Sequence, residues 1–158
     1  MTNHSHMIKK LLLPAMFLLA GVLSATAGKG DWHTNFEKAV SKAKAENKIV
    51  LVEFHGSDWC PPCIKLNNEV LSTDAFKDVA ESSLVLVNAD FPRKNPLSDE
   101  QRAHNEALAR KLGVKYFPTV VLVNSDGEVL DKMVGFPKGG VDGFLAFIEE
   151  KAPKAAEG

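Results

Sequence analysis

A chain of 158 residues, 45% hydrophobic and 25% charged, has the make-up of one globular domain of ordinary composition. Its formal net charge of -1 leaves no cationic surplus for a polyanion, which argues against nucleic-acid binding. Only two cysteines occur, and a domain of this size can bury a core without covalent staples.

The first segment reads as a leader. Lys9 and Lys10 precede an apolar stretch from Leu11 to Leu23, and Ala25-Thr26-Ala27 places small residues where a signal peptidase cuts. Cleavage after Ala27 is expected. This divides the chain into a signal peptide over 1–27, a domain over 28–151 and a flexible tail over 152–158. The stretch is short for a span of roughly 20 apolar residues, and Pro14 interrupts it; an uncleaved membrane anchor is the alternative. Met7 is an alternative start, so His4 and His6 carry no functional weight. Export implies an oxidising compartment, periplasmic or secreted, where two close thiols meet oxidants.

Trp32, Phe36, Ala39, Val40 and Ala43 recur at helical spacing, which predicts a helix from Asp31 to Asn47. "KIVLVEFHG" is a buried strand ended by glycine. From Pro61, the residues Cys63, Leu66 and Val70 again fall at helical spacing, with proline tolerated in the first turn. "STDAF" caps a further helix to about Ser82, and "SLVLVNADF" is a second apolar strand. "FPRKNPLS" reads as a polar loop. Ser98 and Gln101 form a capping-box pattern ahead of a helix that stops at Gly113. "PTVVLVNSDGEVLDKMVG" is strand, turn, strand, with the turn at Asn124 to Gly127. Val141, Phe144, Leu145 and Ile148 mark a last helix. The order α-β-α-α-β-α-β-β-α predicts an α/β fold: a central mixed sheet, parallel early and antiparallel at the closing hairpin, with helices on both faces.

Both cysteines lie in "SDWCPPCIKL". Cys60 falls between the first strand and the following helix, where unpaired N–H groups and a partial positive charge favour a thiolate. Such sites lower a cysteine pKa from ~8.5 into the range ~3.5–7.5. Cys63 lies one turn inside the helix, less exposed and close enough to form a ring with Cys60. This asymmetry suits thiol–disulfide exchange, Cys60 attacking and Cys63 resolving the mixed disulfide. Pro61 and Pro62 have no N–H to offer the Cys60 sulfur. A zinc site lacks ligands, since no second CxxC exists and His55 is the one nearby candidate; an inert disulfide would add little loop-closure entropy.

"WCPPC" after a buried strand, "YFPT" before a hairpin and the order of elements resemble the thioredoxin superfamily. "FHGSDWCPPCIKLNNEV", "VNADFPRKNPLSDEQ" and "GVKYFPTVVLVNSDGEVL" resemble exported bacterial thioredoxin-like proteins and the C-terminal domain of the DsbD thiol:disulfide interchange protein. The resemblance covers roughly Asp31 to Lys151. It implies a thioredoxin fold with Cys60 as nucleophile, Cys63 as resolving cysteine and Pro118 as the cis-proline beside the disulfide. It implies that Phe117 offers backbone groups to an extended substrate and that Trp59 shapes the contact surface. Glu53 roughly matches the buried acid that exchanges a proton with the resolving cysteine, although the loop to Cys60 is one residue longer than in thioredoxin. A strand-end carboxylate in water is the other reading of Glu53. The lysine that often accompanies this acid is replaced by Leu86. His55 is expected to be a satisfied polar contact, Lys65 to be solvated, and Arg93 and Lys94 to belong to a polar loop.

The function expected is an exported, monomeric thiol–disulfide oxidoreductase acting on protein thiols or disulfides, with no cofactor and no metal. A reductive direction, fed by a membrane electron donor, is preferred. The alternative is a thioredoxin-scaffold binding module, or one that delivers a metal such as copper with the cysteines as ligands.

Overall fold

β2 (Ile49–His55) is the centre of the molecule, buried along its whole length. The computed structural model describes residues 31–152; the expected signal peptide over 1–27 and all but the first residue of the expected tail over 152–158 lie outside the described residues. β3 (Leu84–Asp90) pairs parallel with one edge of β2, and β4 (Thr119–Val123) pairs antiparallel with the other. β1 (Trp32–His33) adds parallel to β3, and β5 (Val129–Val134) adds antiparallel to β4. The five-stranded order is β1-β3-β2-β4-β5. The mixed sheet is therefore as expected, with the parallel half built from early strands.

Alternation along β2 sorts its side chains to two faces. Val50, Val52 and Phe54 pack with Phe36, Ala39 and Ala43 of α1 (Phe36–Glu46) and Leu108 of α4 (Asp99–Lys111). Ile49 and Leu51 face the opposite layer. There they meet Leu66 of α2 (Pro61–Leu66), Phe76 of α3 (Asp74–Ser83) and Phe144 of α5 (Gly140–Glu149). Each of the Val, Leu, Ile and Phe side chains contributes about 1.5–3 kcal/mol by burial, and the two layers hold β2 from both sides.

The capping residues act locally. Asn35, Thr73 and Ser98 accept the N–H groups of Lys38, Phe76 and Gln101. The Gln101 side chain does not complete a capping box. It donates instead to Thr34 O and Asn105 Oδ1, joining α4 to the segment before α1. Gly113 has φ +64°, and the residue after it returns its N–H to Ala109 O. In the hairpin, Gly127 at φ +86° lets its N–H reach Asn124 O.

Two boundaries differ from the sequence reading. The first helix begins at Phe36, because Trp32 and His33 are drawn into the sheet opposite Leu86 and Val87. The helix after the cysteines is α-helical only to Leu66. It continues as a π-helical turn over Asn67–Leu71, still burying Val70 and Leu71.

Candidate active site

The cysteines sit where β2 hands over to α2. Cys60 is the N-cap of α2 in extended conformation (φ -101°, ψ 100°), and Pro61 opens the helix. The Cys60 N–H donates to Gly56 O at 3.0 Å, folding residues 56–60 into a compact turn. Cys60 and Cys63 form a disulfide with Cα atoms 5.3 Å apart. Both are buried, Cys60 at 4% exposure and Cys63 at 1%, while Pro61 and Pro62 are exposed. The small difference has the expected sign.

The first turn of α2 carries few free donors. Pro61 and Pro62 have none, and the N–H groups of Cys63 and Ile64 both donate to Cys60 O at 3.0 Å. Once the disulfide is reduced, the helix dipole is what would favour a thiolate at Cys60, since the first-turn N–H groups are absent or taken.

Phe117–Pro118 is a cis peptide bond, as the resemblance implied. Pro118 is buried, and its carbonyl accepts the Gly135 N–H at 2.8 Å, anchoring the start of β4 to the end of β5. Phe117 is half-buried. Its ring meets the Trp59 indole edge-on with centroids 6.2 Å apart and stacks on Phe91 at 4.9 Å. The residue before Cys60 and the residue before Pro118 are thus in ring contact.

Trp59 is fixed from several directions. Its Nε1–H donates to Phe91 O at 2.7 Å, and the Arg93 guanidinium lies 3.6 Å from the indole ring centroid. The indole also lies on Gly56, where an added Cβ would come within 2.4 Å of it. The loop after β3 is in turn held by Asp58, whose carboxylate accepts the N–H groups of Arg93, Lys94 and Asn95. These bonds, that from Arg93 foremost, hold the Asp58 carboxyl below the usual range. The "FPRKN" segment therefore forms one wall of the site. Gly56, Asp58 and Phe91 were not singled out from the sequence; the polar pair Ser57-Asp58 directly before "WC" was the available signal.

Glu53 is buried at 3% exposure, which overturns its reading as a strand end in water. It sits on the face of β2 that carries Leu51 toward the α2 layer. Burial pushes its carboxyl up to about 7; His55 opposes this and Asp90 adds to it. Its Oε1 has no hydrogen-bond partner. Leu86 lies in the apolar core of the same layer, so no lysine there offsets the buried acid. Lys65 is exposed, as expected, and its ammonium lies 4.3 Å from the Phe136 ring centroid and 3.9 Å from Glu69 Oε2. Among the described residues no group of three or more His, Cys, Asp or Glu is arranged to hold a metal ion.

A thioredoxin-like domain model matches residues 36–149, spanning both cysteines, Glu53 and the cis-proline. The chain belongs to the thioredoxin-like family. It is 34% identical over 119 residues to the disulfide bond reductase DsbH of Chlamydia pneumoniae, covering 75% of this chain and 70% of that protein. A solved DsbH oxidoreductase structure superposes with TM-score 0.71 at 32% identity, over 77% of this chain and 83% of the other. The C-terminal domain of Neisseria meningitidis DsbD in its oxidised form shares the fold, with TM-score 0.54 at 22% identity over 73% and 91% of the two chains.

Proposed function

We propose that this chain is an exported thiol–disulfide oxidoreductase that reduces disulfides in partner proteins, with Cys60 as nucleophile, Cys63 as resolving cysteine and Glu53 as proton acceptor. The observation that carries this reading is the Cys60–Cys63 disulfide at the N-terminus of α2, with Trp59 in ring contact with the residue before a cis-proline.

The chemistry follows from the thiols. In the reduced protein the Cys60 thiolate attacks one sulfur of a partner disulfide, and the other partner sulfur leaves as a thiolate. Cys63 then loses its proton to Glu53 and attacks the Cys60 sulfur, releasing the second partner thiolate. Two electrons pass to the partner, and the Cys60–Cys63 disulfide remains. A carboxylate held near neutrality is suited to that task, since a proton acceptor works best with a pKa near the operating pH.

Export rests on the leader over residues 1–27, and a monomer acting on partner proteins needs no bound cofactor. The reductive direction is supported by the likeness to a protein described as a disulfide bond reductase. A membrane-held dithiol donor would return the disulfide to the dithiol. Insulin reduction by dithiothreitol tests the activity. The wild-type protein should accelerate it and Cys60→Ser should not; a wild-type rate equal to the uncatalysed one rejects the reading.

A further inference from the structure

A buried carboxylate that takes a proton from a thiol either hands it back to that thiol or exchanges it with solvent, and only exchange lets its protonation follow the pH. Glu53 has almost no surface of its own for such exchange, its side chain being 4% exposed. His55 stands between it and solvent. The parallel register of β2 and β3 sets Glu53 beside Asn88 and His55 beside Asp90, and alternation puts all four on one face. His55 Nδ1 lies 3.8 Å from Glu53 Oε1. Its Nε2 is 2.8 Å from Asn88 Oδ1 and 3.8 Å from Asp90 Oδ1. Asp90 reaches the surface with its side chain 19% exposed, accepting the N–H and hydroxyl of Ser57. On the other side of β2, β4 sets Val120 opposite Glu53, and the charges that bear on Glu53 are those of His55 and Asp90. A satisfied polar contact explains the bond from Nε2 to Asn88. It does not explain why the other ring nitrogen is turned toward the unpartnered oxygen of a buried acid.

We propose that His55 is the proton conduit between Glu53 and solvent, by way of Asp90. The proposal rests on the reading of Glu53 as proton acceptor and adds the route by which it is emptied and refilled. With Nε2–H donating to Asn88, Nδ1 is bare and can take the proton of a neutral Glu53. The imidazolium then gives up its Nε2 proton toward Asp90 and water. This leaves Glu53 as a carboxylate and the ring in its other tautomer. When a donor dithiol reduces the Cys60–Cys63 disulfide, two electrons enter and the proton returns along the same atoms, restoring the first tautomer. Each 3.8 Å gap needs a closure of about 1 Å or one bridging water.

The test compares turnover of a fluorescent disulfide substrate by full-length wild type, His55→Ala, His55→Gln and Glu53→Gln, each checked for folding by its thermal transition. His55→Ala and His55→Gln should slow turnover about tenfold, below the ~10²–10⁴ typical of proton transfer made directly to a reacting group. Free imidazole should restore the rate of His55→Ala in proportion to its concentration, with no effect on Glu53→Gln. If His55→Ala fails to fold, His55→Gln should show a larger solvent deuterium isotope effect than wild type. Slow His55 variants with neither imidazole rescue nor a raised isotope effect would make His55 structural and overturn the proposal. His55 variants at the wild-type rate beside a slow Glu53→Gln would overturn it while sparing Glu53. Glu53→Gln at the wild-type rate would remove the underlying reading instead.

Discussion

The indole N–H of Trp59 donates to the carbonyl oxygen of Phe91 at 2.7 Å, joining the turn that delivers Cys60 to the loop that follows β3. The bond crosses 32 residues of sequence. It sets the indole between Gly56 on one side and the Arg93 guanidinium near its ring, with Phe117 at its edge. The walls of the disulfide site are thus one connected assembly.

Gly56→Ala tests that assembly. A Cβ 2.4 Å from Trp59 Nε1 cannot be accommodated unless the indole moves. Destabilisation of about 1–3 kcal/mol is expected, the usual cost of overpacking. Urea unfolding followed by tryptophan fluorescence measures it; an unchanged midpoint would mean that the indole is not held there.

Asp58→Ala should release the loop at Arg93, Lys94 and Asn95. Amide hydrogen exchange at those residues reads this directly, with protection lost at all three N–H groups the carboxylate accepts. The lowered Asp58 pKa fixes the pH sign. The stabilisation is present above the ordinary aspartate value of 3.8 and is lost as pH falls through the still lower folded value. Protection in the wild type should therefore persist at pH 4.

Glu53 has the opposite sign. Its folded pKa of about 7 exceeds the ordinary 4.5, so the folded state holds the proton more tightly than the unfolded chain. Stability should be fully present below pH 4.5, decline as pH rises, and be lost through about 7. The shift corresponds to about 3 kcal/mol. Glu53→Gln should flatten this decline and raise stability at pH 8, while slowing turnover. Denaturation midpoints between pH 4 and 9 check it.

Much of the site was legible because it follows from local rules. A buried β-branched strand, a Cys-Pro-Pro-Cys at its end and helical spacing from Cys63 to Leu66 located the disulfide without tertiary information. The cis state of Pro118 was legible through the family resemblance, since X–Pro preference alone favours trans. Illegible features depend on distant partners. Trp32 fits helical spacing, but pairing with Leu86 takes it into the sheet. Asp58 reads as a loop aspartate until the chain brings the amides of residues 93–95 to it. Glu53 and His55 could be placed on one strand, but not their alignment with Asn88 and Asp90, which the β2–β3 register decides.

The ionisation of Cys60 carries a further expectation. The α2 dipole points at it, but the prolines remove two donors and Cys60 O takes the next two. In the reduced protein the helix end should favour its thiolate relative to free cysteine. Iodoacetamide labelling against pH, read by mass spectrometry at Cys60, gives the midpoint; a value at or above that of free cysteine would contradict it.

The most direct test is to trap the exchange in the act. Reduced Cys63→Ser and Cys60→Ser proteins are each mixed with a disulfide-bonded peptide, and the adducts are mapped by mass spectrometry without reductant. Cys63→Ser should accumulate a mixed disulfide at Cys60, and Cys60→Ser should remain unmodified. Accumulation at Cys63 in the Cys60→Ser protein, with none at Cys60 in the other, would contradict the assignment of Cys60 as the attacking sulfur.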